Sequence, residues 1–564
     1  MEAIPAGAVH GAPPLMHLDR RAKTEILVAI LLALFLGALD QTIVGVALPT
    51  IATKLGGAEL YAWSITIYLL TSTITGPFYG KLSDLFGRKP MLIFGVSVFL
   101  LGSALSGLSQ NMEMLILFRG IQGIGAGALF PVALAVIGDL YTPAERGRYQ
   151  GLFGAVFGVS SIVGPLLGGF LTEQVGWQWI FYVNLPIGLV SLVVIWRLLP
   201  NIRRESASRN LDYLGAAVFT FAISFLLLGL SNKGRGEWTD PVVGGFILLG
   251  LVGSLVFLFV ESRAAEPIVP LRLFRNQTYA TSIAATFFAA FGFFAAIIWL
   301  PLWFQFVEGA SPTNSGLYAL PLLAGLIVSS IVSGVLVART GRYKVILVGA
   351  VVTMLAGLWL MSNLRFDTPL PLIWVWMFVA GAGVGPTLSV FTISVQNAVP
   401  VRDLGAATGN LTFFRQIGGS IALAVTGTVL ADTVAARIPT EMAAAGVPAP
   451  LIAGFTASGQ GVDFQATVGT DLGQTILAGI PAAFRGQVEP FIGNIVEGIH
   501  RAFSLAVAQT FTLGLLVSLV ALGAVLLMRE IPLRTYAPGE ASAGDDPRRP
   551  TGTHGADHPL PAAD

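Results

Sequence analysis

The chain contains no cysteine, five histidines and few charges: Asp, Glu, Lys and Arg together make up 11% of its 564 residues. The missing cysteines exclude disulfides, thiolate metal sites and thiol chemistry. The histidines are His10, His17, His500, His554 and His558, none deep in an apolar run, which excludes a histidine proton relay inside a membrane. A net charge of +1 gives no bulk attraction to nucleic acid. Soluble domains carry ~25% charged residues, and 11% is too little to cover a globule. No G-x-x-x-x-G-K-[ST], zinc signature or nucleophile elbow is present. Nothing therefore points to ATP use or catalysis, and no metal or other cofactor is expected.

What is present is hydrocarbon. Hydrophobic residues make up 54% of the chain, with 66 glycines besides. Uncharged stretches such as Met91 to Ser109 have the ~20 residues that a helix needs to cross ~30 Å of lipid. The expected class is an all-α integral membrane protein. Hydropathy predicts fourteen spans, at 25–51, 60–80, 89–109, 113–139, 148–173, 177–199, 211–231, 240–261, 277–306, 313–338, 342–362, 370–398, 405–431 and 501–528. The first lacks a small-residue cleavage site and is too long for a signal peptide, so it reads as a retained span. With these spans, 23 of the 32 Lys and Arg fall on one side and 7 on the other, leaving Arg119 and Arg415 within the spans. The positive-inside rule then places both termini in the cytoplasm. The expected location is the cytoplasmic (inner) membrane.

The chain divides into a cytoplasmic arm (1–24), a first six-helix bundle (25–199), two inserted helices with their loops (200–276), a second six-helix bundle (277–528) and a disordered tail (529–564). The second bundle includes an Ala/Gly/Pro-rich outer loop, 432–500, whose stretch Ile476–Ile499 has amphipathic helical character. An internal repeat supports the two bundles. The loop Gly80 to Lys89 recurs at Gly334 to Lys344, and Gly123-x-Gly125-x-Gly127 recurs as Gly381-x-Gly383-x-Gly385. Two six-span halves are a transporter architecture, with the path at their interface.

Four motifs give the chain a family resemblance. They are Leu39-Asp40-Gln41-Thr42-Ile43-Val44 with Ala47-Leu48-Pro49, the G-x-x-x-D-x-x-G-R-K loop at 80–90, Leu117-Phe118-Arg119-Gly120-Ile121-Gln122-Gly123, and Gly164-Pro165-Leu-Leu-Gly168-Gly169. In this order the chain resembles the major facilitator superfamily, and within it the fourteen-span drug:proton antiporters. The resemblance implies that the loop motif (Gly80, Asp84, Gly87, Arg88, Lys89) latches the two halves on the cytoplasmic side. It implies that the motif at Gly164, Pro165, Gly168 and Gly169 marks exporters, and that Asp40 and Arg119 are tied to proton coupling. Gly45 stands where the family's first-span motif usually has Asn, so one supporting hydrogen bond is missing or supplied elsewhere. The second copy of the loop has Ala338 in place of Asp84, so the latch is expected to be one-sided.

The residues carry part of this reading by themselves. A charge at the bilayer centre costs at least ~2.5–3.5 kcal/mol unless paired or facing water. Asp40 lies ~22 Å from the inner end of its span and Arg119 ~9 Å below the outer surface, which is similar depth in a ~30 Å core. They form either a static ion pair or a protonatable carboxylate sensed by a cation. Arg415 either snorkels to the surface or lines the path. Gln41, Gln122, Gln305, Gln396 and Asn410 are further candidate cavity residues. The expected function is export of amphipathic drugs or toxic metabolites in exchange for protons, with the lipid bilayer as surroundings and a monomer sufficient. The alternatives are an exporter of a lipid or cell-envelope precursor, and a non-pumping receptor or scaffold on the same fold.

Overall fold

The computed structural model describes residues 18–56, 60–200, 212–233, 236–457, 472–480 and 482–533. Most of the arm, the tail beyond 533 and much of the 200–211 linker lie outside the described residues, which are helical and contain no strand. Fourteen helices correspond to the predicted spans. They are α1 Arg20–Leu55, α2 Tyr61–Phe86, α3 Arg88–Gly107, α4 Met112–Leu140, α5 Pro143–Phe170, α6 Asn184–Leu198, α7 Tyr213–Asn232, α8 Phe246–Glu261, α9 Gln277–Phe306, α10 Leu320–Thr340, α11 Tyr343–Met361, α12 Leu370–Ala398, α13 Leu404–Ala444 and α14 Ile492–Leu527. Thirteen helical segments of the structure are long and apolar enough to cross a membrane. The remaining helix, α2, has 26 residues, seven of them Ser or Thr. Several of those hydroxyls donate to carbonyls of their own helix, as Thr71 does to Ile67 and Thr75 to Thr71 at 2.9 and 2.7 Å. Polar side chains satisfied in this way are compatible with a membrane interior.

Alternation puts the start of α1 and the end of α14 on one face, the near face, together with the α2–α3, α4–α5, α10–α11 and α12–α13 turns. The halves repeat in their packing. On α4, Cβ atoms at Gly123 and Gly127 would strike α2, and one at Gly125 would strike α3. On α12, Gly381 and Gly385 lie against α10 in the same way, and Gly383 against α11. The G-x-G-x-G run thus serves two neighbours: its outer glycines, four residues apart, share one helix face, and the middle one points away. Small residues let the backbones meet where no side chain fits.

Helices α7 and α8 pack on each other and cover the seam between α2 and α13. Phe219 of α7 touches Phe78 and Phe413, with ring centroids 5.5 and 5.1 Å apart. Only 22% of the apolar segment containing α8 is buried; Leu248, Leu251, Leu255 and Phe259 point outward, as lipid-facing residues do.

Two predicted spans are divided. The stretch 177–199 breaks into Trp179–Tyr182 and α6, and 313–338 into Pro312–Tyr318 and α10. In the second case Pro321, which has no N–H to give, sits in the first turn of α10. The larger difference concerns 432–500. α13 does not stop at 431 but runs 41 residues to Ala444, ~60 Å at 1.5 Å per residue. α14 begins at Ile492 rather than 501. Val434, Ile438, Met442, Ile495 and Ile499 belong to one buried apolar cluster with the spans. A Cβ on Gly498 would lie 2.7 Å from the Met442 Cα. Both ends of this segment are therefore a paired helical extension on the far face. Replacing 445–491 with a short Gly/Ser linker is expected to preserve insertion, with a thermal midpoint within a few degrees of the parent's. Gly498→Leu, which forces the two extensions apart, is expected to lower that midpoint clearly. Equal midpoints for Gly498→Leu and the parent would contradict the packing.

Candidate functional site

Asp40 lies on the inward face of α1 and is fully buried. Its carboxylate receives three donors from three places in the chain. Arg119 of α4 pairs with Oδ2 at 2.5 Å. Gln122, one turn along, donates to Oδ1 at 2.8 Å, and Asn184, the first residue of α6, donates to the same oxygen at 3.1 Å. Asn184 also reaches Ser103 of α3 at 3.1 Å. Arg119 lies over the face of Tyr68 from α2, 4.1 Å from the ring centroid, and donates to Gln122 Oε1 at 2.8 Å. The cluster joins five helices of one bundle through a single carboxylate.

The structure thus brings Asp40 and Arg119 together, as the depth argument expects, and moves Gln122 from a cavity candidate into their partnership. No atom lies within 4 Å of a Cβ placed on Gly45, and the amide that does reach Asp40 comes from Asn184 of α6. Asn184, Ser103 and Tyr68 were not identified from the sequence. The available signal was that Asn184 is the lone amide in the apolar run from Trp179 to Trp196.

A second cluster joins the bundles at the near face. Asp84, near the end of α2, accepts the backbone N–H groups of Gly405 and Ala406 at 3.0 and 2.8 Å. These belong to the first turn of α13, whose orphan donors and positive dipole end favour an anion. Arg88 holds Asp84 from behind at 2.7 Å and bridges to Asp139 of α4 at 2.8 Å. The backbones meet so closely that a Cβ on Gly80 would lie 2.5 Å from the Gly405 carbonyl oxygen. Gly87 makes the α2–α3 turn with φ of 101°, a conformation open to glycine at little cost. Lys89 makes no ion pair among the described residues, whereas Lys81 pairs with Glu266 at 2.6 Å. In the second copy, the Lys344 ammonium donates to the Leu526 carbonyl and its backbone N–H to the Glu530 carboxylate rather than to the facing bundle. Asp139 was missed because it ends a span and looked like a boundary residue.

Helix α5 is the other contact between the halves. Cβ atoms on Gly151, Gly154 and Gly158 would come within 2.8, 2.7 and 2.5 Å of Ile331, Ser330 and Ile327 of α10. Further along, Gly164 and Gly168 turn to α1. Thr42 packs against Gly164 and donates to the Ser160 carbonyl at 2.9 Å, while Gly168 meets the Ile43 carbonyl. A Cβ on Gly316, in the short helix Pro312–Tyr318, would lie 3.6 Å from Pro165, and Gly169 is half-buried.

The remaining cavity candidates separate. Gln396 is a lock between bundles: it reaches the Leu134 carbonyl at 3.0 Å and Thr408 at 3.3 Å, and accepts from Gln150 at 2.8 Å. Gln305 ties α9 to Ser315 at 2.8 Å. Asn410 is buried against the Tyr279 hydroxyl at 3.1 Å. Gln41 is half-buried beside Asp40. Among the described residues Arg415 makes no hydrogen bond or ion pair, and its Nε is buried without a partner.

Residues 30–423 match the family model described as Major Facilitator Superfamily. The chain belongs to the major facilitator superfamily. Among similar proteins of this transporter superfamily is the Multidrug transporter protein MdtP of Bacillus subtilis, 35% identical over 506 residues, covering 87% of this chain and 92% of that one. Multidrug resistance protein 3 of Bacillus subtilis is 35% identical over 412 residues, covering 73% and 80%. The fold is similar to that of the human organic anion transporter MFSD10 (TM-score 0.54, 14% identity, 88% of this chain and 99% of that one). It is equally similar to that of the proton:xylose symporter XylE (TM-score 0.54, 12% identity, 88% and 95%).

Two outcomes follow from this geometry. Asp84→Ala removes both acceptors of the α13 cap but leaves Arg88 paired with Asp139. Charged hydrogen bonds of this kind contribute ~1.5–3 kcal/mol each, so near-face closure should weaken by tenfold or more. The chain has no native cysteine, so spin labels at Arg148 and Arg402, both exposed, report it directly. A longer, broader distance distribution than the parent's is expected, and an unchanged one contradicts the latch. Asn184→Ala removes one donor to Asp40 and should lower thermal stability by ~1.5–3 kcal/mol; an unaltered melting curve would show that Asn184 does not hold the carboxylate.

Proposed function

We propose that this transporter exports amphipathic small molecules across the cytoplasmic membrane in exchange for protons, with its near face in the cytoplasm. The observation that carries the proposal is the Asp40 carboxylate, fully buried and held by donors from α4 and α6. A carboxylate inside a membrane is a functional residue by default, with its partner named. The names of the two Bacillus relatives support drug export. One proton falling through 100 mV supplies ~2.3 kcal/mol, enough for roughly a fifty-fold substrate gradient.

In the proposed cycle Asp40 takes a proton when the interior opens to the acidic far side. Arg119 then loses its counter-charge but keeps Gln122 and the Tyr68 face, and a cation over an aromatic ring gains ~0.5–2 kcal/mol. The cluster tolerates a neutral Asp40 without leaving the guanidinium bare. The change in charge biases the equilibrium between the closed near-face arrangement, held by Asp84 and Gln396, and the open one. The exporter of a lipid or cell-envelope precursor is the second reading, favoured by the helical extension of α13 and α14 on the far face.

Proteoliposome transport of a panel of lipophilic dyes and lipids, with and without an imposed pH gradient, tests this. The wild type is expected to accumulate dyes only with the gradient. Asp40→Asn should abolish that accumulation while retaining measurable dye binding. Gradient-driven accumulation by Asp40→Asn would place the proton elsewhere, and selective movement of lipids would favour the second reading.

A further inference from the structure

Among the cations buried in the spans, Arg415 stands apart. Arg119 has Asp40, Arg88 has Asp84 and Asp139, and Arg146 donates to the Tyr141 and Gly138 carbonyls. Arg415 has no partner among the described residues, and its Nε is buried. From Leu404 to Arg415 the helix rises ~17 Å, which is the middle of a ~30 Å core. A cation there persists when paired or when it faces a water-filled path.

Its surroundings say which. Arg415 follows Thr408 by seven residues, two helical turns, and so shares its face. Thr408 meets Gln396, the lock that reaches across to α4. Arg415 therefore lies above that lock, on the side of α13 turned to the interior between the bundles, and it is half-buried rather than sealed. Gly419, one turn further on the same face, lies against the ring of Phe294. Phe294 stacks edge-on with Phe293 at 5.2 Å, and Phe293 lies 6.1 Å from Phe157 of α5 in the other bundle. A lone cation thus sits one helical turn from an aromatic wall built by both halves. Asp40 and Arg119 cancel, whereas Arg415 has no counter-charge among the described residues.

We propose that Arg415 is the counter-charge for amphipathic anions: the path accepts molecules that join an apolar or aromatic body to a carboxylate, sulfonate or phosphate. The inference rests on the transport reading for its purpose, but it is a statement about binding. The anionic group takes the guanidinium's free donors, the body lies on the Phe294–Phe293–Phe157 wall, and cationic molecules are disfavoured by repulsion.

The test uses two fluorescent probes with the same aromatic body, 8-anilinonaphthalene-1-sulfonate and neutral N-phenyl-1-naphthylamine, titrated into the purified full chain. Wild type is expected to bind the sulfonate more tightly. Arg415→Gln should weaken the sulfonate about tenfold or more and leave the neutral probe unchanged, while Arg415→Lys retains most of the preference. Equal loss for both probes, or no loss for either, overturns the proposal. So does a wild type that binds the neutral probe as tightly as the sulfonate, whatever the variants do. If the preference is present but no gradient moves either probe in liposomes, the transport reading fails and the anion site stands. If dyes move and the preference is absent, the anion site alone fails.

Discussion

The salt bridge between Asp40 and Arg119 is the interaction on which the first bundle is organised. Neither charge tolerates the membrane interior alone, so α1 and α4 must meet at that depth, and the remaining carboxylate oxygen recruits Gln122 and Asn184. This fixes α6 against α1 and, through Ser103, against α3. A polar cluster of this kind is costly if one member is removed. The cluster lies inside one half, not between the halves.

The contacts between the halves follow a different rule. They are made by glycines and by backbone groups: Gly80 against Gly405, the glycines of α5 against α10, and Asp84 on the first N–H groups of α13. Surfaces where backbones meet at glycines can part and close again, although side chains such as Phe157 and Phe293 also pack across the seam. The specific polar ties across them, Asp84 and Gln396, sit toward the near face. One face is thus latched by a few hydrogen bonds that a change elsewhere in the bundle can outweigh.

The helices, their approximate ends, the repeat and the meeting of Asp40 with Arg119 were legible in the sequence, because hydropathy and intramembrane charge are local and strong signals. A latching role for the loop motif came from the family resemblance, whereas the way Asp84 does it, by capping α13, shows only in the structure. The fate of the amides was not legible. Gln305, Gln396 and Asn410 look alike in sequence, and only the packing shows that each is engaged locally or between the bundles. Asn184 was hidden for the same reason. The extension of α13 past the membrane was missed because its turn-like Ala, Gly and Pro content outweighed the periodic burial of Val434, Ile438 and Met442, which becomes visible only against α14.

The central claim of the proposed function is that substrate moves in exchange for a proton carried by Asp40. It is tested most directly by adding a transported dye to purified protein in weakly buffered detergent solution and following pH with an indicator. At an acidity where Asp40 is partly protonated, binding is expected to release protons in proportion to dye bound, with no release from Asp40→Asn. Stoichiometric binding by the wild type with no change in pH would contradict the account.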